Sequence, residues 1–581
     1  MTNFTKKIIA KLLKPVINQC PILLAYIVWI GWSSLLQNPF YRWFVIVLHA
    51  YMIAVFVEWS KSKVVKYLLY IIIFILFLIE ATLEACYDLA ISPSTLLLLV
   101  ETNTNETKEF FLNLTKLSAF WLTIGWAAVT VWLVWFAEHY RSRIATYLKR
   151  TYPYRILSLV LPLWLAVGIG CSWCYVKLFQ SQSTDDVSEW NQHMRYPSDA
   201  VTRVAIALFD THIANREMDE AISHAQVILT TKNTANNDSL RVIFVIGESF
   251  IHQHSPLYGY PLNTTPFLLS EQARGHLVAF TDAVSPYNLT THVIRNMISC
   301  NSIGRGERWS QKPPLTAVFR ASGYKVEMFD NQKDFHLATT FSFALNTFLY
   351  HPRMIELCYD ETNDRVFDYD GKLIEYYSRY PHIAGTHKLT VFHLMGQHAQ
   401  AENRYPQTDK RFCRFTADSL SWRHESWLTQ SKRQEIAYYD NATLYNDYVI
   451  QQITLLYPKE PTVLVYLSDH GEEIYDYRNS IGRSGGNDLE KMLNYQYGVP
   501  LMVWCNDRYI ESNPGIMERL NEVKNRPFMI DNICQLLFHL AGLTNQPYYK
   551  SQRDVFSIDY QCGTRILNDK YDYDKIRNEK K

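Results

Sequence analysis

Val463-Leu-Val-Tyr-Leu-Ser-Asp469-His470-Gly-Glu-Glu places an adjacent carboxylate and imidazole directly after a β-branched apolar run. Such a run has the signature of a buried strand, so the pair sits at a strand tip, where both side chains could ligate a metal ion. Arg241-Val-Ile-Phe-Val-Ile-Gly-Glu248-Ser249 repeats the pattern, with glycine for a tight turn and then a carboxylate. Ligands of open parallel α/β sheets bind at the C-terminal strand ends. The two segments therefore point to one divalent-metal site, and mixed His and carboxylate ligation favours zinc. Taken alone, Asp469-His470 fits a salt bridge at a strand end equally well. A group-transfer reaction also needs a nucleophile near the metal, and Thr290 is the candidate. In Ser285-Pro-Tyr-Asn-Leu-Thr290-Thr291-His292-Val-Ile-Arg-Asn-Met a Pro-containing loop runs into an amphipathic helix. A helix N-terminus favours a phosphoryl anion and an alkoxide. The competing role for Thr290 or Thr291 is a plain helix N-cap, which threonine often fills.

The elements that must carry these residues are short apolar strands alternating with helices. Strand signals fall at 241–246, 325–329, 389–395, 462–467 and 499–504, and helical segments at 267–273, 292–299 and 436–456. This alternation predicts an α/β sandwich with a central, mainly parallel sheet. No internal repeat or low-complexity tract interrupts it.

The first third of the chain is different. Apolar stretches at about 20–36, 43–59, 67–89, 117–136 and 156–179 are each near the roughly 20 residues that cross a bilayer core, which predicts five transmembrane helices. A cleaved signal peptide would need a small-residue cleavage site after the first stretch, and none follows. Lys6, Lys7, Lys11 and Lys14, then Lys61, Lys63 and Lys66, then Arg141, Arg143, Lys149, Arg150 and Arg155 all fall on one side of such a topology. By the positive-inside rule that side is cytoplasmic, so everything after the fifth helix is extracytoplasmic. The expected domains are a transmembrane domain at 1–179, a polar bridging segment at 180–240, a catalytic domain at 241–565 and a loose polar tail at 566–581. The net charge of +1 over 581 residues gives no reason to expect a nucleic-acid partner. Ten cysteines are present, six of them in the extracytoplasmic part; that number permits up to three disulfides without specifying a pairing.

The ordered set Gly-Glu248-Ser249, Tyr258-Gly259-Tyr260, Asn263-Thr264-Thr265-Pro266, Thr290, His393-Leu-Met-Gly396-Gln-His398, Arg404-Tyr405-Pro406, Tyr439-Asp440-Asn441 and Ser468-Asp469-His470-Gly471-Glu472 resembles the membrane-bound phosphoethanolamine transferases of the alkaline phosphatase and sulfatase superfamily. The likeness spans nearly the whole chain. It implies an alkaline phosphatase/sulfatase-like sandwich preceded by an all-α five-helix transmembrane domain. It also implies zinc bound by Glu248, Thr290, Asp469 and His470, with Thr290 as the nucleophile that forms a phosphothreonine. One zinc site is expected, and a second is compatible with the pattern. His393 and His398 match a His-x-x-Gly-x-His element near the substrate phosphate, in which Gln397 replaces the common Ser. Asp330 and Asn331 match an Asp-Asn pair beside the substrate. Thr102 and Glu106 match a polar loop that helps to hold the donor head group, although Leu98 stands where an Asn is expected.

The resemblance implies phosphatidylethanolamine as donor and lipopolysaccharide, either core sugar or lipid A, as acceptor. The implied setting is a monomeric, multi-pass protein of the bacterial inner membrane with its catalytic domain in the periplasm. Tyr475-Asp-Tyr-Arg478 and Gly482-Arg483 are similar to the branch that modifies the lipopolysaccharide core, because the lipid A branch carries a further His near Gly482. A donor confined to the bilayer accounts for the anchor. A sulfatase would need a Cys/Ser-x-Pro-x-Arg signature, and none lies near Thr290. A phosphoglycerol transferase acting on an envelope glycan or glycolipid is the alternative, and a catalytically silent membrane scaffold is the reading from another class.

Overall fold

The computed structural model describes residues 3–31, 42–87, 91, 114–115, 117–184, 186–187, 190, 199–231, 239–332, 348–483, 488–568 and 570–578. The chain divides into two compact units, Met1–Glu217 and Met218–Lys581.

The first unit is helical: α1 (Asn3–Asn18), α2 (Cys20–Ile30), α3 (Arg42–Ser60), α4 (Lys63–Tyr87), α5 (Ser118–His139), α6 (Arg141–Leu148) and α7 (Thr151–Leu178). Among the described residues four helices are long and apolar enough to cross a membrane, and the count is five if the pair α1 and α2, bent by 68°, is one span. Much of their apolar surface is exposed, Leu122, Trp132, Leu159 and Leu163 among it, as on lipid-facing helices. At Gly168 the backbone of α3 comes so close that an added Cβ would lie 2.6 Å from the Phe44 carbonyl oxygen. Small residues permit such approaches between membrane helices. Among the described residues Lys66 pairs with Glu138 at 2.6 Å and Arg203 with Glu80, which offsets the cost of a lone ion in an apolar setting. Helix α8 (Ala200–Thr230) crosses the boundary between the units. Within the segment at 180–240, expected as bridging helices or a linker, Met218 onward belongs to the second unit. Met218, Ala221, Ile222, Ala225 and Ile228 are buried in the core of the second unit.

The second unit is built on a seven-stranded sheet of β1 (Leu240–Gly247), β2 (Leu277–Phe280), β3 (Lys325–Asp330), β4 (Glu361–Thr362), β5 (His387–His393), β6 (Thr462–Ser468) and β7 (Leu501–Cys505), in the order β2-β7-β6-β1-β5-β3-β4. The five strands from β6 to β4 run parallel. Strand β7 is antiparallel to both of its neighbours, so the sheet is mixed. Successive β1 side chains alternate between two apolar cores. Val242, Phe244 and Ile246 pack on one face with α9 (Thr290–Ile298), through Val293, Ile294 and Met297. Ile243 and Val245 pack on the other face with α10 (Asp370–Arg379) and α11 (Gln430–Thr454), through Leu373, Ile374, Val449 and Ile450. Burial on both faces is why these strands are continuous apolar runs.

The segment expected as a loose tail is folded. Ile566–Leu567 pairs antiparallel with Tyr571–Asp572, a helix follows at Tyr573–Asn578, and Leu567 and Tyr573 join a buried cluster with Met492 and Leu493. The signals are the alternating aromatics and the Arg565 guanidinium, held to Asp282 at 2.9 Å and also bonded to Asp574. These are few enough to be hidden by the polar composition of the segment.

Candidate active site

Four neighbouring parallel strands end in line, and each ends on or just before a polar residue. In register, Ile246 pairs with His393, Gly247 with Ser468 and Asp330 with His393. The edge therefore presents Asp469, Glu248, His393 and Asp330 from β6, β1, β5 and β3 in spatial order. Thr290 is the first residue of α9, and the N-cap position is taken by Leu289 with no side-chain cap. A capping threonine would bond the backbone two or three residues on. The Thr290 hydroxyl instead lies 3.2 Å from Glu248 Oε2 and 3.1 Å from His470 Nε2. Thr291 Oγ1 is 3.3 Å from His292 Nδ1.

Glu248, Thr290, Asp469 and His470 are all fully buried, at 0% exposure. The His470 ring donates Nδ1–H to the Gly471 carbonyl at 2.8 Å, which turns the Nε2 lone pair toward the carboxylates. Nε2 is 3.1 Å from Asp469 Oδ2 and 3.4 Å from Glu248 Oε1. Asp469 Oδ1 accepts the backbone N–H groups of Ser249 at 3.2 Å and His470 at 2.7 Å. Its other oxygen, Oδ2, is buried without a hydrogen-bond partner. Two buried carboxylates, a hydroxyl and an imidazole lone pair thus converge, a donor set that suits a cation. The donor separations fit the ion: a tetrahedral zinc with ligands at about 2.0–2.1 Å has edges of about 3.3 Å. Glu248, Asp469 and His470 form one of the groups that could hold a metal among the described residues.

The electrostatics agree. Burial opposes the charge on Glu248, but the charges of His470, His398 and Arg483 and a hydrogen bond from Ser249 hold it down to about 2. Burial and the Glu248 charge push Asp469 well above the usual carboxylate range. Burial, with the Arg483 charge beside it, pushes His470 down to about 3, so the imidazole is neutral and free to ligate.

His393 is buried, its Nδ1 2.8 Å from Asp330 Oδ2, and its Nε2 has no hydrogen-bond partner. Burial works against the charged ring, and Asp330 outweighs it to raise His393 above its ordinary value. His398, half-buried on the same loop, is lowered by burial and by the Arg404 and Arg483 charges.

Asp330 and Asn331, expected as substrate contacts, lie one layer behind the surface at 1% and 2% exposure. Asp330 also accepts from the Tyr350 hydroxyl at 2.6 Å. Asn331 donates to Asp370 Oδ1 at 2.9 Å and accepts the Phe367 N–H at 2.7 Å. These bonds make both of them supports of the strand edge. Thr102 and Glu106 fall outside the described residues.

Three contributors were not foreseen from the sequence. Gln332 donates to Glu248 Oε2 at 3.2 Å and to the Leu394 carbonyl at 2.7 Å. Asp370 accepts the N–H groups of Met395 and Gly396, both at 2.9 Å, which fixes the loop between His393 and His398. Arg483 Nη1 lies 3.0 Å from His470 Nδ1 and also touches Nε2. Arg483 stood in the Gly482-Arg483 motif and Gln332 next to the Asp-Asn pair, but neither position disclosed its contact with the site.

The chain is 22% identical over 539 residues to the phosphoethanolamine transferase EptC of Escherichia coli (strain K12), an alignment covering 90% of this chain and 89% of that protein. It is 27% identical over 305 residues to the Kdo(2)-lipid A phosphoethanolamine 7''-transferase of the same organism, covering 51% of this chain and 49% of that protein. Among solved structures, the integral membrane lipooligosaccharide phosphoethanolamine transferase A from Neisseria meningitidis covers 94% of this chain and 97% of its own at 15% identity, with a TM-score of 0.51. That likeness extends the shared fold to both units. The family model described as Sulfatase matches residues 241–543, more than half of the chain and the whole strand edge that bears the site, and the chain belongs to that family.

Proposed function

We propose that the chain transfers phosphoethanolamine from phosphatidylethanolamine to a lipopolysaccharide acceptor, a core sugar or lipid A, through a phosphothreonine at Thr290, with zinc as cofactor. The observation that carries this reading is the Thr290 hydroxyl held at 3.2 Å and 3.1 Å from a carboxylate and an imidazole of a buried ligand cluster. The names of the two relatives support the transferred group, and lipid A in one of them supports the acceptor class. Gly482, where the lipid A branch carries histidine, favours a core-sugar acceptor.

Glu248, Asp469 and His470 would hold the ion with Thr290 Oγ1, and a zinc ion there lowers the pKa of the hydroxyl and neutralises a phosphoryl oxygen. Thr290 Oγ–H gives its proton to Glu248 Oε2, 3.2 Å away, Oγ attacks phosphorus, a P–O bond forms, and the bond to the diacylglycerol oxygen breaks with its electron pair. His393 supplies the proton that this oxygen needs. The Asp330 carboxylate favours its charged ring, and Nε2 is the nitrogen left to donate. In the second half an acceptor hydroxyl attacks the phosphothreonine from the opposite side and Thr290 Oγ leaves, recovering its proton from Glu248. His398, which burial lowers below its ordinary value, takes the proton from the acceptor hydroxyl and loses it to solvent, from which His393 recovers the one it gave. The sequence topology puts these steps on the periplasmic face of the inner membrane, where the donor is confined to the same bilayer.

The test is mass spectrometry of the Thr290 peptide after the purified full chain meets phosphatidylethanolamine vesicles without acceptor. A phosphoethanolamine adduct on Thr290, with transfer lowered about 10³-fold or more in Thr290→Ala, is the expected result. A Thr290→Ala chain that still transferred at a comparable rate would sink the reading. A phosphoglycerol adduct from phosphatidylglycerol vesicles would instead support the other transferred group.

A further inference from the structure

Thirteen residues beyond His470 the chain returns to the same imidazole. Residues 473–482 close a hairpin: Ile474 bridges Ile481 in antiparallel sense, and the Tyr475 and Gly482 N–H groups donate to the Ser480 and Glu473 carbonyls, both at 2.9 Å. Its base is pinned by Glu473, which accepts from Tyr477 at 2.6 Å, Arg478 at 2.7 Å and Gln496 at 2.7 Å. Gly482, at φ +93°, makes the last bend in the left-handed region that favours glycine. Arg483 is thereby delivered onto His470, with Nη1 against both ring nitrogens.

A guanidinium is always charged and offers only donors. Here its charge acts on both buried carboxylates, Glu248 and Asp469, and its Nη1 lies against the Nε2 lone pair. The nitrogen it touches is the one that would ligate zinc, and one lone pair holds one cation at a time. A second carboxylate stands ready beside it. Glu472 Oε2 is 3.8 Å from Arg483 Nε, and Glu472 Oε1 is buried without a hydrogen-bond partner.

We propose that Arg483 is the resident counter-cation of the ligand cluster: its guanidinium compensates Glu248 and Asp469 in the metal-free chain, competes with zinc for His470 Nε2, and moves to Glu472 when the ion binds. The proposal rests on the zinc reading given above. It makes zinc affinity weaker than the donor set alone would give, and it keeps the empty site folded. It is a positioning role, exerted through the metal ligands.

The experiment measures zinc affinity of the full chain in detergent by competition with a fluorescent chelator, together with Tm in excess chelator and in excess zinc, for wild type, Arg483→Gln and Arg483→Lys. Removing the competing charge tightens zinc binding by about tenfold or more in Arg483→Gln. The same substitution lowers Tm in chelator and leaves it unchanged in zinc. Arg483→Lys, which keeps the charge, stays within about threefold of wild type. Zinc binding that is unchanged or weaker in Arg483→Gln overturns the proposal, as does a lysine variant that tightens as much as glutamine. A wild-type chain that takes up no zinc at all sinks the metal reading itself, an outcome these arms separate from the others.

Discussion

Thr290 shows that a residue's role is settled by what its side chain faces. A capping threonine is worth about 1 kcal/mol to a helix, yet this one turns its hydroxyl away from the helix toward Glu248 and His470. The same test separates Asp330 from a substrate ligand: its carboxylate is consumed by His393 and Tyr350. Asp330→Asn is therefore expected to leave zinc content unchanged and to lower kcat by about 10–100-fold, as is usual for the partner of a functional histidine. Because Asp330 raises the His393 pKa, the substitution should also move the alkaline limb of the pH–rate profile to lower pH. A profile shifted upward or not at all would refute the assignment. A second buried histidine bears on stability. His254 lies between Asp440 and Asp476 at 2.8 and 2.9 Å. Burial opposes its charge, but the two carboxylates raise it from 6.5 to about 9. A group raised in the folded state stabilises fully below its unfolded value and loses that contribution as pH rises through its folded one. The rise corresponds to roughly 3 kcal/mol, present below about pH 6.5 and lost through about pH 9. Denaturant midpoints of the full chain from pH 6 to 10 should fall more steeply in wild type than in His254→Asn. Parallel curves would contradict this.

At the scale of elements, the site depends on strand ends held in register and on loops that approach them closely. Gly396 makes one such approach. At φ +50° an added Cβ would lie 2.8 Å from the Glu248 carbonyl oxygen and 2.9 Å from its nitrogen, and backbone atoms cannot step aside. Gly396→Ala should cost about 2–3 kcal/mol through the left-handed backbone and the clash together. It should also displace Glu248, so zinc content falls along with Tm; a variant with normal values of both would show that the loop yields freely. Glu248, Asp469 and His470, the candidate metal ligands, were legible in the sequence because they follow uninterrupted apolar strands, and periodicity reports such strands well. Strand β2 and the two-residue β4 were not legible, since four or two residues carry no period. Gln332, Asp370 and Arg483 were missed for a different reason. They reach the site across 62, 25 and 13 positions of chain, to Leu394, Met395 and His470, and no local pattern encodes such pairings. The distinction between Asp330 as ligand and as support was equally hidden, because both uses place an aspartate at a strand tip.

At the scale of the whole molecule, the boundary between the units falls inside α8, between Glu217 and Met218, and not at the start of β1. The reason is apolar burial. Met218, Ala221, Ile222, Ala225 and Ile228 are at most 4% exposed, and Ser310 Oγ donates to Glu220 Oε2 at 2.6 Å. A chain beginning at Met218 keeps this helix over the core that includes Val242 and Phe244. One beginning at Leu240 strips it and exposes apolar surface, at a cost of about 2–5 kcal/mol for each large buried side chain removed. The shorter chain is expected to aggregate or to melt far below the longer one. The longer chain is expected to bind zinc with the affinity of the intact protein and to cleave a small soluble phosphodiester at an undiminished rate, because every ligand of the site lies within Met218–Lys581. Its transfer from phosphatidylethanolamine in vesicles should fall by about 10²–10³-fold, since the anchor that raises the effective concentration of a bilayer-bound donor is gone. Comparing the two substrates on one preparation separates the causes. Loss on both substrates would mean that the first unit supports the site itself, and loss on neither would mean that the membrane helices do not serve donor capture.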